Sequence, residues 1–417
     1  MSEWKETSIG SLCTIKHGFA YKGEYITNEE CSNVLVTPGN FTLSGGFKMM
    51  DKPKYYKGPV EKEYILKEGD LIVTMTDLSK GIDTLGYSAL VPKINGITFH
   101  HNQRIGLIEN ISEEVDKGFL YWTMRTRPYQ RFVANSSSGT TVHHTSPNNI
   151  SRYSFLLPPL AEQKNIASIL FSLDSKIAVN RRICENLEAQ AQALFKHWFI
   201  DFVPFKNGQF VESELGMIPE GWRVGKFTDI FDLGSGGTPK TSEKLYWEDG
   251  SIPFFSPKDV NGVYCFDTEK HITEKGLNNC SSSLYSKNTV FITCRGTVGK
   301  VAMAAVPMAM NQSNYAILSN KGYSQYFAYL MTVSIVKKLK FKANGAVFDA
   351  ITSKDFKEQI IIPNLNVVNR FDSIIQPIFD NILNIGFENL RLSALRDTLL
   401  PKLMSGQIKV NEVEKSL

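Results

Sequence analysis

The sequence predicts an α+β protein: two similar mixed α/β globules separated by two long antiparallel helices, paired as a coiled coil with pseudo-twofold symmetry. Three observations predict it. The chain repeats itself at a spacing of about 210 residues. Each copy ends in a long stretch with heptad apolar spacing. The 417 residues exceed what one ordinary core accommodates.

The repeat is legible in six landmarks that recur in the same order. WKETSIGSLCTIKHGFAYK, containing Trp4, is echoed by WRVGKFTDIFDLGSGGTPK, containing Trp222. GDLIVTMTDLSKG from Gly69 resembles KNTVFITCRGTVGK from Lys287, each an alternating β-branched run ending in a Gly-bearing turn. HHNQRIGLI pairs with AMNQSNYAIL, so Asn102-Gln103 in one copy matches Asn311-Gln312 in the other. LYWTMRTRPYQRF precedes a small-residue loop, SSSGTT, as AYLMTVSIVKKLKFK precedes ANGAVFD. SFLLPPLAEQKNIASIL then matches QIIIPNLNVVNRFDSII, and a long helical pattern follows each.

After Pro158-Pro159 the chain carries neither Pro nor Gly until Pro204. Steps of four and three connect Ile166, Leu170, Leu173, Ile177, Asn180, Cys184, Leu187, Ala191, Leu194 and Trp198, an a/d seam with one polar interruption at Asn180. The second copy gives Phe371, Ile375, Ile378, Ile382, Ile385, Asn389, Leu392, Arg396, Leu399 and Leu403, interrupted at Asn389 and Arg396. Pro377 predicts a bend near the start of this second helix. About 40 residues at 1.5 Å each span about 60 Å. A lone helix of that length with an apolar stripe needs a partner, and the other copy is the simplest one. Antiparallel pairing carries the chain out along one helix and back along the other, with a globule expected at either end.

The bulk numbers narrow the function classes. Hydrophobic residues make up 42% and charged residues 21%, which excludes wholesale disorder. A net charge of +4 is compatible with nucleic acid but does not argue for it. The cysteines, Cys13, Cys31, Cys184, Cys265, Cys280 and Cys294, show no C-x-x-C spacing, so a structural zinc site is not expected and reduced thiols are. The opening MSEWKETSIG does not read as a signal peptide, and no apolar run reaches a membrane span, so a cytoplasmic location is expected.

No motif makes a case for catalysis. There is no N-P-P-Y to hold a flipped adenine; Pro158-Pro159 follows leucine. Gly296-Thr297-Val298-Gly299-Lys300 is too short for a phosphate-binding loop and lacks the following Ser/Thr, and Gly234-Ser235-Gly236-Gly237 reads as a backbone turn. His100-His101 and His143-His144 are adjacent pairs whose side chains point to opposite faces of a strand, a poor geometry for joint metal ligation. Neither a metal nor a cofactor is expected in this chain.

Binding of DNA requires cations for phosphate and polar groups for base edges. Both copies carry a basic cluster at one place: Arg125, Arg127 and Arg131 in the first, Lys337, Lys338, Lys340 and Lys342 in the second. Each precedes a small-residue loop, with Gly139 and Thr140 or with Gly345, where backbone can approach phosphate. A solvated helix face is the competing interpretation. Asn102, Gln103, Asn311 and Gln312 suit bidentate reading of adenine. They equally suit buried amides that satisfy a loop. Arg104 has the chemistry for guanine, and His100, His101 and Arg104 differ from Ala309, Met310 and Ser313 as readers of different bases would. Thr76, Asp77 and Lys80, matched with Arg295, Thr297 and Lys300, and then Thr238 and Lys240 complete the candidates.

These features together resemble the specificity subunit of type I restriction-modification enzymes, over essentially the whole chain. Leu157-Pro158-Pro159-Leu160-Ala161-Glu162-Gln163 resembles the P-L-P-P-L-x-E-Q signature that ends a target-recognition domain, and Ile361-Ile362-Pro363-Asn364-Leu365 is a second copy without Glu-Gln. Gly234 to Lys240 with Trp247 and Ile252-Pro253 resembles the opening of such a domain, with Phe254 where Trp is usual. Gly296 to Gly299 resembles the R-G-x-I-G turn, and Leu399 to Gly406 the family's ending.

The resemblance implies target-recognition domains over 1–157 and 204–362, a spacer helix over 158–203, and a second spacer helix with a C-terminal tail over 363–417. Each domain would read one half of a split, asymmetric DNA sequence, and the helices would set the unread gap. Two modification subunits carrying S-adenosylmethionine would dock on the helices, with Leu160, Glu162, Gln163, Leu173, Ile177, Leu187, Leu194, Ile382, Leu392 and Leu399 on the docking and spacer surfaces. Two restriction subunits would bring ATP and Mg. This chain would itself be non-catalytic. Because the second copy lacks Glu-Gln, the resemblance implies the overall role but not that the two docking surfaces are equivalent. Three readings compete with this one: a modification-only system, an enzyme with a divergent site, and a coiled-coil scaffold that binds no DNA.

Overall fold

A computed structural model of the chain describes residues 4–77, 79, 81–319, 321–342 and 350–414. Two α-helices of 40 residues dominate it, Leu160–Phe199 and Leu365–Met404. Pro377 and Pro401 lie inside the second, which runs through both as one element. The chain divides into two compact units. The first comprises Met1–Ser175 and Leu392–Leu417, the second Lys176–Arg391. Each unit therefore contains one globule together with a part of both long helices.

In the first unit a four-stranded antiparallel sheet runs in the order Thr14–His17, Ile105–Glu109, Leu71–Thr74, Ser88–Leu90. Leu71 to Thr74 are all buried, as expected for a central strand covered on both faces. A five-stranded sheet adjoins it, and there Thr98–His101 lies parallel to Asn33–Val36. Lys5–Ser8 pairs with Ser154–Leu157, which ties the start of the globule to the strand that leads into the first long helix. Phe119, Trp122 and Tyr129 fill the core against Ile166, Leu170 and Leu173 of that helix and Leu399 and Leu403 of the other.

The second unit repeats this plan. Phe231–Ser235, Asn314–Ser319, Val290–Thr293 and Val301–Ala304 form the corresponding sheet, extended by Tyr264–Cys265. Ile252–Phe255 lies parallel to Ala309–Met310, as Asn33–Val36 does to Thr98–His101. Arg223–Lys226 pairs with Gln359–Ile362. A hairpin, Phe210–Ser213 with Gly216–Pro219, is an addition. The helical layer differs for a local reason. In the first unit Lys117–Thr123, capped by Asp116, stops before a second helix, Arg127–Asn135, which is capped by Thr126 and opens with Pro128. The second unit has no such proline and forms a single helix, Gln325–Lys342.

The helices are antiparallel, and the heptad positions face inward. In the second unit the Asn180 side-chain amide donates to Asn389 Oδ1 at 2.9 Å and to Glu388 Oε2 at 2.8 Å, while Phe195 packs on Phe371. The two asparagines that interrupt the seam thus satisfy each other. Towards the globule, Phe195 and Phe199 join Ala191, and Phe379 and Leu383 join Ile382, so the buried face is wider than a two-position stripe. Predicted and observed architecture agree in their two α/β globules and two long antiparallel helices.

Candidate nucleic-acid interface

The matching Asn-Gln dipeptides sit on matching turns. Asn102 Oδ1 accepts from the amide of Arg104 at 3.1 Å, and Asn311 Oδ1 accepts from that of Ser313 at 3.0 Å. Both asparagines thus shape the turn, a local side-chain bond that this residue type favours. Beneath each turn passes a glycine. A Cβ on Gly18 would lie 2.2 Å from the carbonyl oxygen of Asn102, and one on Gly236 would lie 2.0 Å from that of Asn311. Only a residue without a side chain allows this approach. The next amide along, of Phe19 or Gly237, donates to the carbonyl of His101 or Met310.

Two further segments dock on the turn in the same way in both units. The amide of Met75 donates to the carbonyl of Arg104 at 2.9 Å, and the amide of Thr145 to that of Met75 at 3.0 Å. In the second unit Cys294 donates to Ser313 at 2.8 Å and Ile351 to Cys294 at 3.0 Å. The turn and its two neighbours form a three-segment platform held in both units by these corresponding bonds. On it Gln103, Arg104, Gln312, Arg295 and Thr297 are exposed. Gln312 accepts a hydrogen bond from the Thr238 hydroxyl.

In the second unit the platform borders a groove of about 540 Å³, lined among others by Thr238, Trp247, Lys270, Arg295, Thr297 and Asn311. Four sequence candidates, Thr238, Arg295, Thr297 and Asn311, thus converge there. Lys270 lies over the Trp247 ring at 5.6 Å. The single carboxylate of the lining, Glu269, pairs with Lys258 at 3.8 Å, so the groove is net positive. Lys240 approaches it through its backbone carbonyl, which accepts from Trp247 Nε1 at 3.2 Å.

Other candidates are placed differently. Arg125 does not reach solvent: its side chain is 3% exposed, lies 4.3 Å from the Trp122 ring centre, and bonds Asp174 Oδ2 at 2.9 Å and the Ser44 carbonyl at 2.8 Å. It is a structural residue, in contrast to the phosphate role expected of it. Thr76 is buried beside His144, 3.1 Å from its Nδ1, so the expectation of a base contact fails for want of exposure. His100 and His101 are also core residues: burial lowers the pKa of both, that of His101 to about 4. Arg127, Arg131, Gly139 and Thr140 are exposed. Lys337, Lys338 and Lys340 are all exposed; Lys337 donates to Gln192 and Lys340 to the Gly299 carbonyl. Lys80, Gly345 and the side chain of Lys342 lie outside the described residues.

The pairing of Lys80 with Lys300 does not hold. Thr74 donates its amide to Tyr87 as Thr293 does to Lys300, and Gly86 bonds Thr74 as Gly299 bonds Thr293, so Lys300 corresponds to Tyr87. The intervening loop of the first unit is longer and wraps Asp77. Burial acts to raise the pKa of this carboxyl, but bonds from the Ser79 and Thr84 amides and the Thr84 hydroxyl outweigh it and hold it below its ordinary value.

The docking candidates divide by exposure. Leu173, Ile177, Ile382 and Leu399 are buried in the helix seam, Leu187, Leu194 and Leu392 are half-buried along it, and Leu160 is exposed with Glu162 half-buried beside it. Gln163 is 1% exposed and is an internal bracket: its side chain accepts from the Asp116 amide at 2.8 Å and donates to the carbonyls of Glu114 at 3.0 Å and Pro158 at 2.7 Å. Val368 holds the corresponding place in the second unit, where the Tyr323 hydroxyl bonds the Pro363 carbonyl at 2.9 Å instead. The missing Gln is thus compensated inside the fold. A motif that the sequence reading passed over, Thr37-Pro38-Gly39-Asn40 and Ser256-Pro257-Lys258-Asp259, forms the same capped turn after the parallel strand of each unit. Its signal, Ser/Thr-Pro-x-Asn/Asp, was available in the sequence.

Among the described residues no group of three His, Cys, Asp or Glu side chains could hold a metal, and no helix is long and apolar enough to cross a membrane. The family model for the type I restriction modification DNA specificity domain matches residues 1–189 and 219–395. The MjaIX specificity subunit of Methanocaldococcus jannaschii is 30% identical over 302 residues, 71% of this chain and 70% of its own length. The HindI specificity subunit of Haemophilus influenzae is 26% identical over 98% of this chain and all of its own. The crystal structure of a type I S subunit from M. genitalium superposes with a TM-score of 0.52 at 18% identity, covering 96% of both chains, a likeness of fold. By the family model and the match to the MjaIX subunit, the chain belongs to the type I restriction-modification DNA specificity family.

Proposed function

We propose that this chain is the DNA-reading subunit of a type I restriction-modification complex and that its two units read the two halves of a bipartite, asymmetric target. The observation that carries this is the platform present twice: a turn fixed by asparagine and glycine, two docked segments, and unlike exposed side chains on a like backbone. A repeated scaffold with divergent tips suits two related readers of unlike sequences. Contacts to phosphate come from the exposed cations, Arg127 and Arg131 in one unit and Lys258, Lys270 and Lys338 in the other.

The chemistry belongs to partner subunits in this reading. Modification subunits supply S-adenosylmethionine and methylate adenine; restriction subunits supply ATP- and Mg-dependent cleavage. The chain itself is non-catalytic. The outward apolar side chains of the helices, Val179, Ile183 and Leu390, offer a docking surface that the seam residues do not. In the first unit, Leu160, exposed, and Glu162, half-buried, offer a separate docking position at the start of the first helix.

Mapping of adenine methylation at single-base resolution, in a host carrying the neighbouring methyltransferase with and without this chain, tests the reading. A split asymmetric motif that disappears on deletion of the chain is expected. A motif that is continuous, or unaffected by the deletion, overturns it.

A further inference from the structure

The two platforms differ in where they present a guanidinium. In the first unit Arg104 occupies the turn, and the corresponding residue of the second unit is Ser313. In the second unit Arg295 follows Cys294 on the docked segment, and the corresponding residue of the first unit is the buried Thr76. Each platform thus carries one exposed arginine, from a different segment. Among the described residues neither Arg104 nor Arg295 forms an ion pair or a side-chain hydrogen bond, whereas Arg125, Arg223 and Arg396 are all paired with carboxylates.

We infer that Arg104 and Arg295 are specificity-determining residues, each reading a guanine in the half-site of its own unit. The inference rests on the DNA-reading function proposed above. An arginine reads guanine by donating two parallel bonds to O6 and N7, which requires a free fork on a fixed backbone. Both arginines meet this requirement. The backbone at Arg104 is held by the Asn102 side chain and by the bond from Met75; the backbone at Arg295 follows a residue bonded to Ser313 and Ile351. Arg295, with the exposed Thr297, also lines the groove edged by Lys270 and Trp247, so a duplex backbone held by lysine would bring base edges to it. Because the arginines enter from different segments, they would meet different positions of their half-sites, and a shared fold yields two unlike sequences.

The test uses the complex of the full chain with its modification subunits and maps the methylated motif of Arg104→Ala and Arg295→Ala against the unaltered chain. Each substitution is expected to relax a single G·C position in one half-site, losing about tenfold or more of its discrimination there, while the other half-site stays strict. Arg104→Lys and Arg295→Lys, which keep a donor for guanine, are expected to retain part of the preference. Weakening that is uniform over all sequences, with a shallower salt dependence, would mean phosphate contacts and overturn the inference. So would an unchanged motif, or a half-site without any G·C pair in the unaltered chain. A motif that is not bipartite in the unaltered chain overturns the DNA-reading proposal itself, and this inference with it.

Discussion

Asp174 on the first long helix lies 2.6 Å from the guanidinium of Arg396 on the second. Its other oxygen holds Arg125 of the first globule at 2.9 Å. One carboxylate therefore joins both helices and the globule within the first unit. In the second unit the positions corresponding to Asp174 and Arg396 hold Phe379 and Ala191, both fully buried, so the same junction is made there by apolar packing. Burial acts to lower the pKa of Arg396, but Asp174 and Asp397 outweigh it and raise it.

Replacement of Asp174 by alanine leaves the shielded Arg125 guanidinium without a carboxylate, while Arg396 keeps Asp397 at 2.7 Å. A loss of about 2–4 kcal/mol in unfolding free energy is expected, read from the urea midpoint. The companion change Arg396→Ala removes the second cation that Asp174 had bridged to Arg125 and should recover part of that loss. A double-mutant cycle with no coupling between the two positions contradicts the junction.

The bracket at Gln163 makes a similar comparison. Gln163→Ala leaves one amide and two carbonyls without this partner and should cost about 1–3 kcal/mol. Tyr323→Phe removes one bond and should cost about 1 kcal/mol. Once folded, both variants should bind modification subunits as the unaltered chain does, measured by sedimentation. Weakened assembly with unaltered stability would return Gln163 to a docking role.

The repeat and the two helices were legible because they rest on periodicity and order, which survive without knowledge of contacts. The Asn-Gln turns were legible as positions but not as chemistry: nothing in the dipeptide shows that asparagine closes the turn and only glutamine faces out. Arg125 looks like any surface cation in the sequence, because its partner, Asp174, is 49 residues away. Lys80 aligns with Lys300 only by spacing within a loop, and loop length is the property that diverges most freely between copies. The Glu-Gln signature invited a surface role, but Gln163 is fixed by the backbone groups it satisfies, and these are visible only in three dimensions.

Acid should loosen the first unit before the second. His101 is fully buried, and its Nε2 donates to the Ile105 carbonyl at 2.8 Å. Burial first, then Lys16 and His17, depress its pKa from the ordinary 6.5 to about 4 against the opposing effect of the Ile105 bond and Asp70. The unfolded chain thus takes up a proton that the folded chain refuses. Stability from this group is complete above about 6.5 and is lost as pH falls towards 4, up to about 3 kcal/mol. Its counterpart in the second unit is Met310. His101→Met should flatten the pH dependence of the urea midpoint between pH 7 and 5; an unchanged slope assigns that dependence to other groups.

The glycines beneath the two turns allow each reader to be disabled alone. In Gly18→Ala the new methyl would meet the Asn102 carbonyl at 2.2 Å, and in Gly236→Ala it would meet that of Asn311 at 2.0 Å. Backbone sits on both sides of each contact, so the turn itself must move, carrying Gln103 and Arg104 or Gln312 and Ser313 with it. Neither glycine touches the helix seam, so assembly with modification subunits should persist. Binding to a duplex bearing both half-sites should fall by about tenfold or more in each variant, consistent with loss of one or more base contacts. The decisive comparison uses duplexes with one half-site scrambled. Gly18→Ala should bind a duplex lacking the first half-site as the unaltered complex does, and Gly236→Ala should do so for the second. Equal sensitivity of both variants to both scrambled duplexes would show that the turns do not act on separate half-sites.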